Sequence, residues 1–157
     1  MTRKTLPLIE PGRVLREFTS TEVATLVTQW LDVFGANRDG VNAKAYLWHI
    51  FSGARYPALS GEAAREEYVK QIGAEFVVLS NDRKTAFVTD ALPQNSSLVD
   101  YYVFPANFAW TMAFTHEEGW LGPYFARHRD YDVLSEINVR KLRKLQQSEE
   151  ARLKGWR

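Results

Sequence analysis

EFVVLSNDRKTAFVTD, residues 75–90, decides the fold. Two short apolar runs, 75–79 and 85–90, flank the polar run Ser80-Asn81-Asp82-Arg83-Lys84. β-Branched and aromatic residues fit a pleated, half-buried surface, and a cluster of turn formers between two such runs marks a hairpin. The pattern recurs downstream, where VDYYVF (99–104) and FAWTMAFTH (108–116) surround the turn Pro105-Ala106-Asn107. Upstream, AYLWHIFS (45–52) is aromatic and predicts a further strand, with a helix as the alternative.

Helical signals enclose this strand-rich centre. Thr19-Ser20-Thr21-Glu22 forms a capping box, with Thr19 as N-cap and Glu22 reaching back to it. Val23, Leu26, Val27, Trp30, Leu31 and Phe34 then recur at helical spacing, and Gly35 is placed to end the helix. The Trp30 face should lie against something flat, which the strands supply. SGEAAREEYVKQI (60–72) predicts a short polar helix opened by Ser60. From about residue 132, Leu134, Ile137, Leu142 and Leu145 form an incomplete apolar stripe along a C-terminal helix. The fold class is therefore α+β: a mainly antiparallel sheet of about five strands, with helices packed on one side and a C-terminal helix. Residues 1–18 read as an irregular lead-in or a short edge strand, and residues 19–157 as a single domain.

Composition narrows the chemistry. The chain has no cysteine, which excludes disulfides, thiolate catalysis and cysteine-ligated zinc and agrees with a cytoplasmic setting. Arg3 and Lys4 are followed by Pro7, Glu10 and Pro11 rather than an apolar stretch, so no secretory signal is expected. No apolar run is long enough to predict a membrane span. The net charge of +1 is unevenly spread: residues 134–157 carry +4, residues 1–18 carry +2, and the body between them −5. That polarity is too weak to imply nucleic acid by itself.

The segment FAWTMAFTHEEGWLGPYF (108–125) holds the candidate chemistry. Alternation sets Phe108, Trp110, Met112, Phe114 and His116 on one face, the expected core face. Ala109, Thr111, Ala113, Thr115 and Glu117 fall on the other, small enough for a groove, a closely packed helix or solvent. Imidazole titrates near neutral pH, so His116 suits proton transfer, with Glu117 or Glu118 orienting it and Thr115 sharing the network. Against this stands a plain strand-end histidine bonded to backbone carbonyls or Tyr hydroxyls. Neighbours on a strand face opposite ways, so His116 and Glu117 can meet only if the strand bulges or ends there.

Other motifs fail. A two-histidine zinc helix needs histidines one turn apart, and Trp120 stands where the second should be. His49 and His128 lie on distant segments, and His49 reads as a structural histidine unless the fold brings it to His116. Gly35, Gly40 and Gly53 are too scattered for a phosphate loop. No metal or cofactor is expected. Arg140, Lys141, Arg143 and Lys144 could contact nucleic-acid phosphates, but the same charges suit the exposed face of an ordinary helix. Docking onto an acidic protein is a third use.

Tyr102-Val103-Phe104-Pro105, Trp110-Thr111, Thr115-His116-Glu117 and Gly122-Pro123-Tyr124-Phe125 together resemble a pattern, W-T-x-x-x-T-H-E…G-P-Y-F, from an uncharacterised family of small bacterial proteins. The resemblance covers about residues 99–125, reaches back to Trp48-His49-Ile50-Phe51-Ser52, and leaves out the first 40 and last 30 residues. It carries no catalytic assignment. By analogy of kind, such proteins are similar to immunity proteins that neutralise a toxin by direct contact. With no reaction motif present, the expected function is a binding module for a protein partner, a toxin in the immunity reading, rather than an enzyme. The candidate recognition residues are Thr115, His116, Glu117, Trp120, Tyr124 and His49. The alternatives are a small hydrolase using His116, Glu117 and Thr115, and nucleic-acid binding through the C-terminal helix. Oligomeric state is not legible.

Overall fold

The capping box at Thr19 forms as the sequence requires. In a computed structural model that describes residues 7–117 and 120–155, Glu22 N–H donates to Thr19 Oγ1 at 3.2 Å and Thr19 N–H to Glu22 Oε1 at 2.9 Å. Strands β1 (Ile9–Glu10) and β2 (Val14–Glu17) precede helix α1 (Ser20–Phe34). Then come α2 (His49–Ser52), β3 (Leu59–Ser60), α3 (Gly61–Val69), β4 (Phe76–Ser80), β5 (Ala86–Thr89) and β6 (Asn95–Ser96). The chain continues through β7 (Tyr101–Phe104), β8 (Trp110–Phe114), β9 (Tyr124–Arg127) and α4 (Tyr131–Leu153).

The α+β architecture is the one expected, built on an antiparallel sheet. Its order is β2-β5-β4-β7-β8-β9-β3, seven strands rather than about five, and β1 pairs with β6 apart from it. The 75–90 hairpin is β4–β5, in the register Val78↔Phe87, and the second pair is β7–β8, in the register Tyr102↔Ala113. Every residue of β4, β5 and β7 is buried. Such strands read as unbroken apolar runs because both faces of the sheet are covered.

Helices therefore lie on both faces, not one. On the first, Trp30 and Phe34 of α1 and Ile50 and Phe51 of α2 pack with Leu79, Tyr102, Phe104 and Ala113. On the second, Ala64 and Tyr68 of α3 pack with Val78, Val103, Trp110 and Met112, while Tyr131 and Leu134 of α4 sit at the margin. Trp30 is fully buried, and its indole N–H donates to Thr111 Oγ1 at 3.0 Å. The small, partly polar face of β8 thus receives a closely packed helix, one of the three uses its residues allowed.

Three expectations are corrected. AYLWHIFS is not a strand: Tyr46–Trp48 form turns that run into α2, and Trp48 N–H donates to the Tyr102 hydroxyl at 3.0 Å. Its aromatic residues are buried by lying on the sheet, not by joining it. Phe108 does not share a face with Trp110. It has φ +58 in the turn closed by its N–H to Pro105 O, and it stacks on Phe104 on the α1 side, while Ala109 swaps to the other. The stripe on α4 packs only at its start. Leu134 meets the second face, but no residue of α4 is buried, and Leu145 is half exposed.

Candidate functional site

β8 ends at Phe114, and the chain then leaves the alternation that would have put His116 in the core row. Thr115 is buried and its hydroxyl donates to Leu121 O. Trp120 N–H and Leu121 N–H both donate to Glu117 O, at 2.9 and 2.8 Å. The return is tight at Gly122, whose φ is +89; a Cβ there would stand 2.9 Å from Thr115 Cγ2. Glycine is required on both counts. Glu118, the alternative orienting carboxylate, lies outside the described residues.

Leaving the strand swings His116 to the α2 side of the sheet. Its backbone N–H donates to Asp100 Oδ1 at 3.0 Å, and its ring Nδ1 lies 3.0 and 3.1 Å from the two Asp100 oxygens. A carboxylate only accepts, so Nδ1 carries a proton. Asp100 Oδ1 also accepts from the Trp48 indole at 3.0 Å. The other ring nitrogen, Nε2, faces Glu117 Oε1 at 3.4 Å. The hydrogen bond to Asp100 raises the His116 pKa above 6.5, aided by the charges of Asp100 and Glu117 and opposed by partial desolvation. His116 and Glu117, poor partners on a strand, meet because the strand has ended.

His49 joins the same cluster indirectly. Its ring lies 5.3 Å from Tyr46 and 4.6 Å from Trp48, and these two rings lie 5.1 and 6.1 Å from His116. His49 Nδ1 is 2.9 Å from Asn42 O, the contact of a structural histidine. Tyr124 is buried, stacked on Trp48 at 6.2 Å. Trp120 is 85% exposed, whereas Trp30, Trp48 and Trp110 are buried.

Of the residues singled out by sequence, His116, Glu117, His49 and Tyr124 thus converge around Trp48; Thr115 is a buried brace, and Trp120 projects from the same loop. Sequence reasoning missed Asp100, Tyr46 and Trp48. A signal for Asp100 existed: the register Tyr101↔Phe114, carried one step back, sets it opposite Thr115. No such rule locates Tyr46 and Trp48, which come from the segment leading into α2, laid over the same face of the sheet.

Chemically, the cluster fixes His116 between two carboxylates and several rings. None of the hydrogen-bond partners of His116 among the described residues is a hydroxyl nucleophile. No group of three or more His, Asp or Glu among the described residues is placed to hold a metal ion. Two clefts, of about 390 and 350 Å³, are lined by other residues. No helix among the described residues is long and apolar enough to cross a membrane.

A family described as a domain of unknown function, DUF4275, matches residues 12–125. The chain belongs to the DUF4275 family. The match runs from β2 through the start of β9, so it includes α1 and extends far N-terminal of the 99–125 pattern. The DUF4275 region thus contains the Asp100–His116–Glu117 cluster and its aromatic neighbours. No curated protein and no solved structure gives a significant match to the chain.

Proposed function

We propose that this protein is a binding module that engages a protein partner through the rim after β8, centred on Trp120, His116 and Glu117. The observation that carries the reading is Trp120: a large indole left 85% exposed on a loop whose two ends are fastened. Trp is costly to leave in water and is a frequent anchor of interfaces, because it buries much area with few rotatable bonds. The Thr115–Leu121 and Asp100–His116 bonds fasten the two ends of the loop, which lowers the entropy its ends lose on docking. In the finer reading the partner is a toxin and the module neutralises it by occluding its working surface.

The experiment is co-expression with the product of each adjacent gene, followed by measurement of affinity for any complex. Trp120→Ala is expected to weaken that complex by more than tenfold, as truncation of an interface anchor does. A complex that forms equally well with the variant, or no complex with any neighbour, refutes the reading.

The Asp100–His116 pair favours a second reading, a hydrolase-like site. A carboxylate on Nδ1 orients an imidazole for proton transfer at Nε2. Glu117 covers Nε2 through an exposed contact, which holds the side chain only weakly. Turnover of ester or phosphoester substrates that His116→Gln abolishes would establish it.

A further inference from the structure

A cleft of about 390 Å³ opens between the end of α1, the segment after α2 and the segment after β9. It is separate from the Trp120 rim. Arg55 and Arg129, 74 positions apart in sequence, both line it, with Asn37, Tyr56 and His128. Neither arginine takes part in the ion pairs among the described residues. Arg38 already donates to Gly35 O at the carbonyl end of α1, at 2.8 Å, so the two cleft arginines are not needed to cap that helix.

Among the remaining polar groups, His128 supplies a further donor. Asp130 N–H donates to His128 Nδ1 at 2.9 Å, so the neutral ring of His128 carries its proton on Nε2, as a donor. The Tyr56 hydroxyl donates to Arg127 O. Burial raises the pKa of that phenol, and the nearby charge of Arg129 acts against the rise. Arg55 is seated by Gly40: with φ +83 and no side chain, Gly40 lets the guanidinium approach, where a Cβ would be 2.8 Å from Nη2. Val33 and Ala36 add an apolar wall, Asp32 is the one carboxylate among the described lining residues, and Asp130 Oδ2 stands 3.8 Å from His128 Nδ1.

We propose that this cleft binds a small organic phosphate monoester, with Arg55 and Arg129 on the phosphoryl oxygens and the wall of Val33 and Ala36 against the organic group. A guanidinium is planar and permanently charged, and its fork of N–H donors fits phosphate oxygens two at a time. The volume is that of a small-molecule site rather than a bare ion.

The test is calorimetric titration of the full chain with phenyl phosphate, inorganic phosphate and benzoate at fixed ionic strength. Phenyl phosphate is expected to bind saturably and more tightly than the other two. Arg55→Gln and Arg129→Gln should each weaken it by about tenfold or more, the effect of losing a charge-assisted hydrogen bond. Arg140→Gln, an equal loss of charge on α4, should leave affinity unchanged, and Asp32→Asn should raise it. Melting of each free variant separates lost binding from lost folding, and Arg55→Lys should retain only part of the affinity because the fork is gone. No saturable binding up to about 10 mM overturns the proposal. So does equal weakening by Arg140→Gln, and inorganic phosphate binding as tightly as phenyl phosphate removes the monoester class.

Discussion

Trp30 and Trp120 are the same side chain in opposite situations. Trp30 comes from the middle of α1, loses all its solvent contact and satisfies its indole N–H on Thr111. Around it Phe34, Phe51 and Tyr102 lie within 5.3–5.7 Å in tilted or edge-on contact. Trp120 keeps 85% of its exposure, and its backbone, not its ring, is tied to Glu117. Aromatic content alone therefore does not mark function. The informative case is a large apolar side chain that the fold could have covered and did not.

The sharpest way to break the comparison is to remove each ring. Trp30→Ala should cost about 3–5 kcal/mol, the loss of a buried aromatic plus the cavity it leaves, read from denaturant unfolding. Trp120→Ala should leave stability within about 0.5 kcal/mol of the parent. Equal losses at both positions would mean that the exposed indole is structural after all. Between these lies Gly122→Ala, which forces a side chain into positive φ against Thr115. About 1–3 kcal/mol of destabilisation is expected there, by the same assay.

A smaller effect separates the two sides of the rim by pH. His116 has a folded pKa raised above 6.5 by Asp100, so it binds its proton more strongly folded than unfolded. Its contribution to stability is complete below 6.5, the unfolded value, and is lost as pH rises from there through the folded pKa. The melting temperature of the parent should therefore fall relative to His116→Gln across that window, while below it the difference stays constant. Parallel profiles would show that the Asp100 pairing is not formed in solution. The smallest effect is expected on α4. Replacing Arg140, Lys141, Arg143 and Lys144 by Gln should change stability by no more than about 0.5 kcal/mol per site, because that stretch of the helix is not buried.

The local elements were legible where a short-range rule governs them. Thr19 and Glu22 lie three residues apart and complete their bonds without help from the rest of the chain. The β4–β5 and β7–β8 hairpins follow from apolar runs around polar turns. Where burial came from long-range packing, local pattern misled. Tyr46, Leu47 and Trp48 look strand-like because aromatic residues are common in strands, yet they lie on top of the sheet against Tyr102 and Asp100. Phe108 looks like the first residue of a strand, but a left-handed turn reverses its face. The two-residue strands β1, β3 and β6 are too short to carry any periodicity.

The sequence by itself determined an α+β chain with a capped first helix, paired hairpins and a polar C-terminal helix, and it excluded cysteine chemistry. These depend on contacts between near neighbours, whose geometry is set by backbone stereochemistry and side-chain spacing. Only the tertiary structure decided that helices cover both faces, that β8 ends before His116, and that Asp100, Tyr46 and Trp48 surround it. The same is true of Arg55 and Arg129 facing one cleft, and of Trp120 remaining in water. Each of these depends on residues far apart in the chain, and their meeting is settled by how the buried faces pack.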